Sequence, residues 1–214
     1  MKKAVLVGLQ LVLVMTLLAA CSSGAVTTSP SPGGEKGPSY YSLYVERDTV
    51  TSSGRVTGSV VYVQNAAGWM RDPAFTTPPD AQTVCSIVSQ EQSAAPSVAK
   101  CTPLTAAPNV GVRFTYSDLT LQQFSIGTCY TAEVITKRRG HFRLCGTLHF
   151  LPPPNGVGHL DPASKVLLST TFPGMKVASS DGSVSGDTVT WKPDLAALWS
   201  GPAPAPFAFH AVAR

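Results

Sequence analysis

Ser97-Val98-Ala99-Lys100 has the spacing S-x-x-K, in which a lysine one helical turn away takes the serine proton and makes a nucleophile. That chemistry also needs an S-D-N-like element and a K-T-G strand, and the chain contains neither, while Cys101 and Pro103 crowd the helix the motif requires. The Ser/Gly-rich run TTFPGMKVASSDGSVSGDTVTW, Thr170 to Trp191, lacks G-x-S-x-G, because the central position of GSVSG is Val184. His141, His149, His159 and His210 are scattered, with no H-x-x-x-H and no adjacent carboxylate cluster. Glu46 and Asp48 fall on one face of an expected strand, where a solvated pair is the simpler reading. No P-loop and no dinucleotide fingerprint occurs. The expectation is a protein that is not an enzyme, with no catalytic residue, no metal and no cofactor.

The cysteines carry more chemistry. Met1-Lys2-Lys3 precedes an uncharged apolar run from Ala4 to Ala20, and Leu18-Ala19-Ala20-Cys21 follows the order of a secretory leader. The small residues directly before Cys21 resemble a bacterial lipobox, in which that thiol receives a diacylglyceryl group and becomes the mature N-terminus. Two or more acyl chains, at about 0.8 kcal/mol per buried methylene, give stable anchoring. The expected location is therefore the extracytoplasmic face of a cell membrane, with the membrane itself as partner. Ser22 to Ser39, rich in Ser, Pro and Gly, has nothing to bury and reads as a flexible tether.

Those features divide the chain into a leader over 1–20, a tether over 21–39 and a domain over 40–214. The formal charge is +4, from which Lys2 and Lys3 would leave with the leader, too little surplus to suggest nucleic acid. Hydrophobic residues at 43% against 13% charged suit one compact domain and exclude disorder. The only basic cluster, Lys137-Arg138-Arg139 with His141 and Arg143, reads as a solvated hairpin tip.

Turn residues separate segments of strand-like composition at about 40–50, 55–64, 111–119, 129–137, 141–151, 165–172, 188–191 and 206–212. Helical signals are confined to 80–92, beginning at Asp80, and to 194–199. The fold class is thus mainly β, a β-rich single domain with one or two short helices. Gly186-Asp187 suits a two-residue hairpin loop, with Val184 opposite Val189 and Trp191 near the core.

Cys85, Cys101, Cys129 and Cys145 are an even set outside the cytoplasm, and two disulfides are the default. In CYTAEVITKRRGHFRLCGTLHFL, a turn centred on Arg139 would place Val134 opposite Leu144. Cys129 and Cys145 would then lie about 13 Å apart along the ladder, beyond the roughly 7 Å limit between bridged Cα atoms. That register favours long-range pairings tying the Cys85–Cys101 region onto this hairpin, rather than 85–101 with 129–145.

Phe172-Pro173-Gly174 followed by VASSDGSVSGDTVTW from Val177, with DTVTSSGRVTGSVVYV from Asp48 to Val63, resembles LppM-type bacterial lipoproteins. Asp187 stands where that family usually has Asn, and the middle of the domain is not covered by the likeness. The resemblance implies an envelope lipoprotein whose domain binds lipid or glycolipid, and it supplies no catalytic residues. A protein-interaction scaffold held at the membrane is the alternative.

Overall fold

The computed structural model describes residues 37–70, 75–91, 99–125, 128–129, 133–148, 158–199 and 206–214. The expected leader, and the tether up to residue 36, lie outside the described residues, Cys21 among them.

Alternating side chains build the central hairpin. β2 (Ser42–Val50) and β3 (Arg55–Gln64) pair antiparallel from Ser42 opposite Gln64 to Val50 opposite Val56. The turn between them is closed by Thr51, whose backbone N–H donates to the Arg55 carbonyl. Gly54 takes a positive φ of 85° there, which a residue without Cβ adopts at little cost. On one face Val50 and Val56 are fully buried, so this face is the core face.

The hairpin is the middle of a seven-stranded sheet. On one side β5 (Asn109–Thr120) and then β4 (Ala99–Ala106) add antiparallel. Pro103 is tolerated in β4 because this strand is an edge, where a missing N–H need not break a ladder. On the other side β9 (Lys165–Thr171) runs parallel to β2, followed by β12 (Thr188–Trp191) and β11 (Ser183–Ser185). A short pair, β1 (Ser39–Tyr40) with β8 (His159–Leu160), runs parallel beside it. The second large sheet has four strands in the order β10 (Val177–Ser180), β13 (Phe207–Ala213), β7 (His141–Leu148), β6 (Val134–Arg138).

One core serves both large sheets. Val50, Val56, Val112, Leu168, Val189 and Phe172 from the first meet Ile135, Phe142, Leu144, Phe209 and Ala211 from the second. Trp191 lies against Phe209 with ring centroids 5.2 Å apart, and Phe209 occupies the space left by Gly146, where a Cβ would stand 2.3 Å from the ring.

Among the described residues, four helices attach. α2 (Ala81–Glu91) begins at the expected place, with Asp80 Oδ1 accepting the Thr83 N–H at 2.6 Å. α4 (Leu195–Trp199) is likewise where the composition put it, with Asp194 Oδ1 accepting from the Ala196 N–H. α1 (Ala66–Trp69) and α3 (Leu121–Phe124) have caps from Asn65 and Thr120 but too few residues for any periodic signal.

The hairpin at Arg139 departs from expectation by one residue. Arg138 pairs with His141 across a two-residue turn, Arg139 and Gly140, both at positive φ, and Ile135 rather than Val134 faces Leu144. β6 also begins only at Val134, so Cys129 is not on the ladder. Freed from strand spacing, Cys129 lies 5.2 Å in Cα–Cα distance from Cys145 and is bridged to it. Cys85 is bridged to Cys101, holding α2 on β4. The sequential pairing is therefore the observed one, and the long-range preference is corrected. The Gly186-Asp187 hairpin is as expected, with Val184 opposite Val189 and Ser185 opposite Thr188, and Trp191 is buried.

Candidate functional site

Glu46 and Asp48 do share a strand face, but it is the core face. Asp48 is 3% exposed and Glu46 8% exposed. The solvated reading is overturned because β2 has β3 on one side and β9 on the other, with the second sheet above. Neighbouring rows explain how Asp48 fits. Across the sheet Asp48 faces Gly58, and Gly58 faces Tyr116 on β5. Gly58 has no side chain to interpose, so the Tyr116 hydroxyl reaches over it and donates to Asp48 Oδ1. A Cβ at Gly58 would fall 2.0 Å from that oxygen. One step along β2, the Tyr44 hydroxyl donates to Glu46 Oε2 at 2.7 Å.

The third carboxyl comes from Glu133, immediately before β6, which is hydrogen-bonded to Glu46. One oxygen from each of Glu46, Asp48 and Glu133 lies within 4.8 Å of the others. Two oxygens, Asp48 Oδ2 and Glu133 Oε1, are buried without a hydrogen-bond partner. Burial raises the pKa of all three carboxyls, because leaving water disfavours the charged form. The neighbouring charge of Glu46 adds to the rise for Asp48 and Glu133, and the hydroxyls of Tyr116 and Tyr44 oppose it at Asp48 and Glu46 respectively. Burial likewise raises Tyr44 and Tyr116, so both remain hydroxyl donors. Three adjacent carboxylates cannot all stay ionised in such surroundings without a cation; otherwise a proton must neutralise at least one of them.

A second feature is a part-open cleft of about 630 Å³ between the start of β9 and the segment leading into α4. Leu160, Pro162, Val166, Leu167 and Leu195 give it an apolar lining, and Lys165 and Lys192 bring two exposed ammonium groups. The acidic side chains Asp161 and Asp194 are turned to local backbone, accepting from the N–H groups of Ala163 and Ala196. β1 lies beside this cleft: the Tyr40 carbonyl accepts from the Asp161 N–H, and Ser164 Oγ receives the Ser42 N–H.

The remaining sequence candidates do not converge. Lys100 lies in β4, a strand, so the S-x-x-K helix is not formed, and Ser97 is outside the described residues. His141 and His159 bond to the carbonyls of Arg139 and Gly37, and His149 is outside the described residues. His210 contacts Asp181, whose Oδ1 also accepts from Trp191 Nε1 at 2.7 Å and from the His210 backbone N–H at 2.9 Å. Asp181 thus joins β12 of one sheet to β13 of the other.

The cluster was invisible in the sequence because Tyr116 and Glu133 reach it from segments distant in the chain. The signal present, Tyr44-x-Glu46-x-Asp48-x-Val50, puts the acids in phase with an apolar residue, and alternation alone does not say which face is buried.

Among the described residues, two large sheets over one core, two disulfides and a cleft beside β1 define a strand-rich, disulfide-bonded domain. The LppM domain family matches residues 48–200, and the chain belongs to that family. Its fold is similar to the NMR structure of the folded domain of LppM from Mycobacterium tuberculosis, with a TM-score of 0.51 at 16% identity, over 87% of this chain and 95% of that one. No curated protein matches the chain.

Proposed function

We propose that this is a membrane-anchored envelope lipoprotein that binds a lipid or glycolipid with an anionic head group, rather than an enzyme. Acyl chains on Cys21 hold it on the extracytoplasmic face, and the membrane supplies the ligand. The observation carrying the reading is the cleft at the root of the tether. It combines apolar walls for an acyl chain with Lys165 and Lys192 for an anionic head. β1, the first described strand, is bonded to the cleft's edge at Asp161, which supports an anchor entering the domain on that side. Membership of the LppM family supports a lipoprotein.

The test is mass spectrometry of lipids retained by the full-length acylated protein, compared with Lys165→Glu and Lys192→Glu. The expected result is an anionic lipid that the charge reversals release. A protein free of lipid, or one whose lipid is indifferent to both substitutions, would refute the reading. A stoichiometric protein partner recovered instead by cross-linking in intact cells would favour the scaffold.

A further inference from the structure

We propose that Glu46, Asp48 and Glu133 form a binding site for a hard divalent cation such as Ca²⁺. The donors are all carboxylate oxygens, the ligand type that hard cations take. Their mutual spacing of at most 4.8 Å does not exceed roughly twice a Ca²⁺–O distance of about 2.3–2.6 Å, so one ion can touch all three.

Acidic residues that merely cluster would turn their oxygens to water or to donors. Here Asp48 is 3% exposed, and its Oδ2 has no partner, while its other oxygen is held by Tyr116. Glu133 is part-buried as a residue, and its Oε1 is likewise buried and unpartnered. An acceptor left bare inside a core is costly, and a cation removes that cost for several oxygens together.

The tyrosines have the role of orienting groups in metal sites, where a ligating carboxylate is fixed by a donor on its other oxygen. Tyr116 does this for Asp48 and Tyr44 for Glu46, and Gly58 leaves the space that the first of these needs. The ligands come from both large sheets' vicinity, two from β2 and one from the entry to β6, so an ion there would fasten one sheet to the other. No residue is shared with the cleft, and the two sites stand or fall separately.

The full-length protein, stripped with EDTA and dialysed, is titrated with CaCl₂ and with TbCl₃. Terbium reports a nearby tyrosine by sensitised emission, and Tyr44 and Tyr116 both bond to the cluster. The expected result is a Tm higher by several degrees at about 1 mM Ca²⁺, together with sensitised Tb³⁺ emission that Ca²⁺ competes away. Asp48→Asn and Glu133→Gln should abolish both responses. Asp118→Asn, at an exposed carboxylate paired with Arg55, should keep both. Absence of both responses in the unmutated protein would overturn the proposal whether or not the variants fold. So would responses that survive Asp48→Asn and Glu133→Gln, which would assign them to surface carboxylates.

Discussion

Tyr116 and Asp48 bond across an intervening strand, with Gly58 between them as the residue that both face. A tyrosine on β5 and an aspartate on β2 would otherwise be two strands apart, and the absence of one side chain on β3 lets their polar groups meet inside the core.

Gly58→Ala should therefore be costly although it adds one methyl. The new Cβ would stand 2.0 Å from Asp48 Oδ1 and 2.7 Å from the Tyr116 hydroxyl oxygen. Urea unfolding should show a loss of about 1–3 kcal/mol. An unchanged midpoint would mean that the bridge over Gly58 does not exist in solution.

Gly146→Ala should behave similarly for an apolar reason. Its Cβ would be 2.3 Å from the Phe209 ring, which lies against Trp191. A loss of about 1–3 kcal/mol is expected, with part recovered by adding Phe209→Leu, since neighbours couple. Strictly additive effects in that double-mutant cycle would contradict the packing.

Non-reducing peptide mapping should recover Cys85 with Cys101 and Cys129 with Cys145. Replacing either pair with alanines should lower stability by about 3 kcal/mol, the effect of closing a loop of this size. Recovery of a peptide linking Cys85 or Cys101 to the β6–β7 hairpin would exclude the observed pairing.

Asp181 gives the molecule an acid-sensitive joint. Burial raises its pKa, but the His210 backbone N–H, Trp191 Nε1 and the His210 ring together lower it further, so the net shift is downward. A carboxyl whose folded pKa lies below the unfolded value contributes stability above the unfolded value, and loses it as pH falls through the folded one. Stability should therefore decline as pH drops below about 4, and Asp181→Asn should flatten that decline. Identical pH profiles for the two proteins would show that the carboxylate contributes nothing.

Local chemistry determined much of this protein. Hairpin loops at Gly186-Asp187, helix starts at Asp80 and Asp194, and most strand positions follow from turn residues, caps and alternation, which act within a few residues. The FPG and SDGSVSGDTVTW segments, together with DTVTSSGRVTGSVVYV and the lipobox-like leader, indicated the family that residues 48–200 match.

Tertiary structure decided which cysteines meet and which acids are buried. Cys129 reaches Cys145 because β6 starts only at Val134, a boundary that the strand-like composition before it does not mark. Glu46 and Asp48 are buried because β3, β9 and a second sheet enclose their face of β2, and Glu133 joins them from another sheet's edge. Alternation specifies that two side chains share a face. Whether that face meets water or protein depends on strands distant in the chain, so the same residues read as solvated in sequence and form a buried cluster in the fold.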